Sequence, residues 1–309
     1  MPEKLISVII PTYNYAAVLP RAVGSVLAQL ADADAELLVI DDGSTDATPA
    51  VIAELQQTHG SCFTALRQDN GGSAAARNCG IAHARGRFLI FLDADDEMLP
   101  GTLAALRAHV TELPQTRMVI GGYRSVAFDG KCTEHAAASL MPAAGERLYA
   151  YLFDKRLSLC NGACAMHREV FSAGLYPEHL RNAEDIPVFA QALARFPCSL
   201  LEHPMAIIHK HPDSLRHNLQ YARQTGLALV EEVFSPQRMP GEHQHLKRKF
   251  HGQRCLSLFR LFSAAGEKEE ALIFYRSALR ADPLVVLRWT YTRKLLRLLL
   301  QGSTRRRGR

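Results

Sequence analysis

Over the first hundred residues, short apolar runs alternate with amphipathic stretches. Ile6–Ile10 is a β-branched run closed by Pro11, and Glu36–Ile40 is a second run closed by Asp41 and Asp42. Cys62–Leu66 gives a third strand, and Phe88–Leu92 a fourth that runs straight into Asp93. The unbroken apolar run Phe88–Leu92 reads as a strand buried on both faces. Between them, Leu19–Leu30 sets Val23, Val26, Leu27 and Leu30 at helical spacing. A second helix, capped by Thr45 or Asp46, runs through Val51, Ile52 and Leu55. A third, Ala74–His83, starts at the flexible Asn70–Ser73 turn. Strand and helix alternating in this way predict a parallel sheet with right-handed crossovers.

After Pro100 the pattern loosens. Leu103–Val110, Leu148–Leu157 and Ile186–Phe196 read as helices. Met118–Gly121, Tyr123–Phe128, Ser199–Leu201 and Met205–Ile208 read as strands. From Tyr221 on the chain is mostly helical, with Leu256–Phe262, Glu269–Leu279 and Val285–Leu300 as three candidate helices. No second copy of any segment marks a repeat array.

Three polar clusters follow strands one, two and four: Pro11-Thr12-Tyr13-Asn14, Asp41-Asp42-Gly43-Ser44 and Asp93-Ala94-Asp95-Asp96. In a parallel sheet these ends share one edge, where open α/β sheets bind ligands. Close acids without a basic neighbour suit a divalent cation with oxygen ligands, one also held by a substrate phosphate. A solvated turn would explain the acids alone. It would have to be invoked separately for each cluster, whereas one site covers all three.

Composition narrows the class. The chain has 309 residues and is 48% hydrophobic, enough for one large domain or for one domain plus an appendage. Its 7 cysteines are odd in number and scattered, which fits a reducing cytosol. Cys160 and Cys164 are the one close pair and have no partner set for zinc. No N-terminal stretch resembles a signal peptide, and no apolar run reaches the roughly 18 residues of a spanning helix. The net charge is +5, and eight Lys or Arg with no acid lie between Val285 and Arg309. The rest of the chain is slightly acidic, which argues against nucleic acid as a partner and for a local anionic partner at the C-terminus.

Taken together the clusters resemble the family 2 glycosyltransferases. The matching residues are Val8–Asn14, Val39–Asp46, Asn70-Gly71-Gly72, Ala76-Arg77-Asn78 with Gly80, and Asp93–Asp96. The second half matches through Asn161-Gly162, Glu184-Asp185 and His211 with Ser214. The resemblance implies a GT-A fold: α/β, a Rossmann-like and mostly parallel sheet with flanking helices, here with a helical C-terminal region. It implies a transferase domain over 1–220, its nucleotide-sugar half at 1–100 and acceptor half at 101–220, and a helical extension over 221–309. It implies sugar transfer from a nucleotide diphosphate donor to a hydroxyl, with inversion.

By the same resemblance Thr12, Tyr13 and Asp42 hold the nucleobase, Arg77 contacts the nucleotide, and Pro11, Asn14, Asn70 and Gly72 belong to the nucleotide-sugar site. Asp93 and Asp95 form the family's DxD pair with Asp96 adjacent. Asp95 or Asp96 touches Mn2+ or Mg2+, and the others hold ribose or ligating water. Asp185 falls at the base position, with Glu184 to orient it or the acceptor. His211 falls where a late residue reaches the diphosphate or metal; His209 and Lys210 compete. Without the resemblance, Glu184 and Asp185 read as partners of a helix N-terminus, and the histidines as exposed strand ends. The acceptor is a saccharide or a lipid-linked hydroxyl, in envelope polysaccharide or lipopolysaccharide synthesis. The Leu- and Arg-rich tail, which carries the single tryptophan, reads as an interfacial anchor on the inner face of the cytoplasmic membrane. A catalytically inactive sugar-nucleotide-binding protein and a sugar nucleotidyltransferase are the alternatives. The second would have a Gly-rich N-terminal loop where this chain has Pro11–Asn14.

Overall fold

The computed structural model describes residues 4–31, 33–137, 139–210, 218–287 and 289–304. Strands β1 (Lys4–Thr12), β2 (Ala35–Asp41), β3 (Thr64–Arg67) and β4 (Gly86–Phe91) lie parallel in the order β3-β2-β1-β4. Helices α1 (Leu19–Leu27), α2 (Thr48–His59) and α3 (Ser73–His83) make the crossovers. The apolar runs share the cause expected of Phe88–Leu92. Successive side chains point to opposite faces, and both faces are covered. Val8, Ile10, Leu37, Val39 and Ile90 enter one core cluster. Ile9, Leu38, Ile40, Leu89 and Phe91 enter another on the opposite face.

The sheet continues through β5 (Glu97–Met98), α4 (Thr102–Glu112), β6 (Met118–Val126), β7 (Cys132–His135), α5 (Ala144–Tyr149), β8 (Cys164–His167), α6 (Asp185–Arg195) and β9 (Cys198–His209). Its full order is β3-β2-β1-β4-β8-β6-β9-β5, with β7 added to β6. β8 lies antiparallel between β4 and β6, so the sheet is mostly, not wholly, parallel.

Three sequence expectations are corrected here. Met118–Gly121 and Tyr123–Phe128 are one strand, β6, and Ser199–Leu201 and Met205–Ile208 are one strand, β9. The two pair in parallel through a register shift at Gly121 and Gly122. A Cβ on Gly121 would come within 2.5 Å of Met205, so the glycines mark close strand packing and not a break. Leu148–Leu157 is not a single α-helix. α5 ends at Tyr149, and a wider helical turn, Ala150–Asp154, follows it.

The C-terminal part is helical: α7 (Leu219–Thr225), α8 (Ala228–Val233), α9 (Lys247–Ala264), α10 (Lys268–Ala281) and α11 (Trp289–Thr304). The last three pack around Leu256, Phe259, Phe262, Tyr275 and Leu298, a core distinct from those of the sheet. α11 starts later than the pattern from Val285 suggests, because Pro283–Leu287 forms a tighter turn. Among the described residues no helix is long and apolar enough to cross a membrane.

Candidate active site

The first three strand ends meet as the sheet topology requires. Register pairs Thr12 with Asp41, so the loops after β1 and β2 lie side by side. Asn14 takes a left-handed conformation (φ +59°), which asparagine tolerates better than most residues. Its Oδ1 accepts from the Thr45 and Asp46 N–H groups, and its own N–H donates to Ser44 Oγ. Asp42 is buried, and its carboxylate accepts from Gln68 Nε2 and from the N–H groups of Gly71 and Gly72 at 2.7–2.9 Å. Asn70 Nδ2 donates to the Asp42 carbonyl. Gly72 sits at φ +92°, and a Cβ there would lie 2.6 Å from Arg181 Nη1. Asp42 therefore shapes the glycine turn that opens α3. Tyr13 is left 43% exposed above it, and Thr12 is buried beneath with an unpartnered Oγ1.

Arg77 on α3 joins this edge to the second half. It is 5% exposed. One Nη donates to Asp93 at 2.9 Å and the other to Glu184 at 2.8 Å, while the guanidinium lies over the Tyr176 ring. Glu184 also accepts from Ser73 Oγ at 2.7 Å. Burial pushes the Glu184 carboxyl up, but Arg77 and Ser73 more than offset it, and the group stays below the usual carboxylate range. Asp185 behaves oppositely. Burial and then the Glu184 charge push its carboxyl up to about 6, with Arg77 only partly opposing. The adjacent Ala183 is held at φ +61°, costly for a residue with a Cβ.

At the end of β4, Asp96 is buried and accepts from the His209 N–H at 2.8 Å. Burial, followed by the charges of Asp93 and Asp95, pushes its carboxyl up to about 8. Tyr15 feels the same field: burial and the three acids push its hydroxyl up to about 12. The His209 ring contacts Glu97 at 2.8 Å.

A family model, Glycosyl transferase family 2, matches residues 7–175, more than half of the chain. The chain belongs to that family. It is 44% identical over 116 residues to an uncharacterized glycosyltransferase of Nostoc sp., covering 38% of this chain and 34% of that protein. It is 37% identical over 113 residues to the GalNAc(5)-diNAcBac-PP-undecaprenol beta-1,3-glucosyltransferase of Campylobacter jejuni, covering 36% of each. Among the first of its curated relatives the chain thus spans only 34 to 57% of their length. The crystal structure of S. aureus TarS 1-349 in complex with UDP-GlcNAc superposes with a TM-score of 0.68 at 18% identity. That match covers 95% of this chain and 89% of that one, and it establishes a shared fold.

In this family 2 chain the sequence-predicted residues Thr12, Tyr13, Asn14, Asp42, Asn70, Gly72, Arg77, Asp93, Asp95, Asp96, Glu184 and Asp185 all lie along the sheet edge or in the ion-pair chain leading from it. His209 is brought against Asp96; Lys210 donates its N–H to Val126 on β6. His211 and Ser214 lie outside the described residues. Sequence reasoning does not reach Tyr15, Ser73, Tyr176 or Arg21, which donates to the Asp95 carbonyl at 2.6 Å. No motif spacing singles them out, because each arrives by tertiary proximity.

The donor set suits a hard divalent cation, since three carboxylates leave a negative field over Tyr15, and two of them, Asp93 and Asp95, act on the third, Asp96. Among the described residues, however, no three His, Cys, Asp or Glu side chains converge on one point. Asp93 turns to Arg77 and Asp96 to His209. A cage of Asp93, Asp95 and Asp96 is therefore not preformed. One or two carboxylates, with diphosphate and water completing the shell, is the mode Mg2+ favours.

Proposed function

We propose that this chain is an inverting glycosyltransferase that moves a sugar from a nucleoside diphosphate to a hydroxyl, using Mn2+ or Mg2+ held through Asp95 with Asp93 or Asp96. The observation that carries the reading is the ion-pair chain Asp93–Arg77–Glu184. It ties the acid edge to the start of α6, where Asp185 has its carboxyl at about 6. Thr12 Oγ1 and Arg77 Nε, buried and unpartnered, support a polar ligand at this edge. In this reading Tyr13 stacks on the base, while Pro11, Asn14, Asp42, Asn70 and Gly72 shape its loops. A cation held by Asp95 with Asp93 or Asp96 would supply positive charge to offset that developing on the departing nucleotide.

Asp185 is the base. It takes the acceptor proton as the acceptor oxygen bonds to the anomeric carbon and the bond to the diphosphate breaks. The leaving electron pair departs with the nucleotide on the opposite face, so the centre inverts. Glu184, anchored by Arg77 and Ser73, is a positioning residue. Residues 1–100 hold the donor, 101–220 the acceptor, and 221–309 form the helical extension. The Campylobacter relative's name supports a lipid-linked saccharide as acceptor. The work would then occur at the inner face of the cytoplasmic membrane, with α11 on the lipid surface.

The direct test is a thermal-shift series with nucleoside diphosphates and sugar nucleotides, with and without Mn2+ or Mg2+, since a ligand of the native state raises its melting temperature. No shift from any of them would sink the reading. Asp95→Ala is expected to keep the metal-free part of the diphosphate shift and lose most of the metal-dependent part. A parent-like metal response in that variant would place the ion elsewhere.

The pH dependence follows from Asp185. A base works only when ionised, so kcat/KM is expected to rise as pH increases through about 6 and to level off above about 7. A profile flat down to about pH 4.5 would exclude a group lifted in this way.

A further inference from the structure

Far along the chain from the acids, α9 and α11 flank a solvent-open cavity of about 180 Å³ lined by Ser263, Leu298 and the exposed Arg260, Ala264, Lys294 and Arg297. Water takes up about 30 Å³ in the liquid, so the space suits a group of several heavy atoms. Among the described residues, Arg260, Lys294 and Arg297 have no carboxylate partner. Ser263 Oγ is buried there without a hydrogen-bond partner. A buried, unpartnered hydroxyl in one depression with three exposed cations that have no carboxylate partner suits an oxyanion, and a guanidinium fork matches phosphate in particular.

The outside of α11 says what kind of phosphate. Tyr291, Leu295 and Leu298 lie on its inner arc, packed on the Phe259 core. At 3.6 residues per turn, Trp289, Leu296 and Leu300 fall roughly opposite, and they are 66%, 48% and 68% exposed. Arg293, Lys294 and Arg297 occupy one flank between the two arcs. Leu284 and Leu287, just before the helix, are also exposed. A soluble phosphate needs none of this apolar surface, whereas a lipid phosphate sits beside acyl chains. Leucines with a tryptophan next to basic residues make an interfacial helix, and Arg305, Arg306, Arg307 and Arg309 add charge beyond it.

We propose that the cavity between α9 and α11 seats the phosphate of an anionic membrane lipid, with Trp289, Leu296 and Leu300 entering the headgroup layer. This deepens the membrane placement argued above and rests on it. It makes the anchor bipartite: Arg260 and Ser263 belong to the helical body, so the lipid phosphate clasps the tail to α9 and fixes the orientation of the protein on the membrane.

The test uses the full-length chain in low salt with vesicles of phosphatidylcholine, alone or containing phosphatidylglycerol. Binding is expected to the anionic vesicles only, with a blue shift of the Trp289 emission. Each cation near an anionic surface is worth about five-fold in binding. Arg260→Gln is therefore expected to weaken binding about five-fold, and Arg260→Gln with Ser263→Ala further, while Arg260→Lys retains most of it. Leu296→Ser with Leu300→Ser is expected to abolish the blue shift. All four chains should keep the thermal shift that the parent shows with its preferred nucleoside diphosphate, so a failure here is separable from a failure of the donor site. Parent-like binding by the Arg260/Ser263 variant, with loss in the leucine variant, would leave a membrane tail and overturn the phosphate seat. Stabilisation by inorganic phosphate through Arg260 without vesicle binding would make it a soluble-anion site. Absence of vesicle binding by the parent would overturn both the seat and the anchor.

Discussion

Asp185→Asn is expected to lower the rate of sugar transfer about 10²- to 10⁴-fold, the span typical of a general base. That corresponds to about 3–5 kcal/mol in the barrier. Whichever nucleoside diphosphate stabilises the parent should bind as before, because Asp185 makes none of the Arg77 ion pairs. Asparagine keeps the volume but cannot take a proton at neutral pH. The stability of the variant gives a second, independent reading. An ionised carboxylate at this site is disfavoured by burial and by Glu184, so its value in the folded chain stands at about 6, above the ordinary carboxylate value. For an acid lifted in this way the cost to folding appears as pH rises from the ordinary value towards 6 and is complete above it. Removing the charge should therefore leave the melting temperature at pH 7 unchanged or raise it. A variant that is less active and no less stable is the signature of a group kept for chemistry. Parent-like turnover would assign the base elsewhere, and a large loss of stability would point to a structural role.

The parallel half of the fold is legible because β1, β2 and β4 are covered on both faces, which leaves a largely apolar run in each, unbroken in β4 and interrupted in β1 only by Ser7, whose hydroxyl is spent on Glu36 of β2. Their ends are legible for the same reason, since the first polar residue after each run marks the sheet edge. β5, β7 and β8 are not: each has four residues or fewer, too short for a period to show. β6 and β9 read as broken because glycines and Pro204 interrupt them, although the cause is close packing between the two strands. In the site, the acids, Arg77 and Glu184-Asp185 stand out as types in a pattern. Which carboxylate does what does not stand out. Asp42 and Asp93 look alike in sequence, yet one is spent on three donors of the glycine turn and the other meets a buried guanidinium. That division is made by tertiary contacts, as is the contrast between Glu184, lowered by Arg77 and Ser73, and Asp185, raised by burial and then by Glu184.

Arg77→Met is expected to be the most destabilising single change in the site. The guanidinium is buried, and its loss strands Glu184, whose side chain is only 12% exposed, without its cation. Breaking such a buried pair from one side costs about 3–5 kcal/mol, a fall in melting temperature on the order of 10 °C for a chain of this size. Adding Glu184→Gln should recover more than half of the loss, because the double variant no longer buries an unpaired charge. The pH dependence carries the sign. Glu184 is depressed in the folded chain, so the pair's contribution is fully present above the ordinary glutamate value of about 4.3 and is lost as pH falls through its lowered value. Parent and variant should therefore draw together in stability only as pH falls from the ordinary glutamate value through that lowered one. Activity shifts through the same residue. Burial and Glu184 raise the Asp185 carboxyl while Arg77 opposes them, so without Arg77 the acid limb of the rate profile should move above its parent position near 6. If the double variant melts as low as the single one, or if the acid limb stays in place, Arg77 acts as packing against Tyr176. The ion-pair chain then does not couple the donor edge to the base.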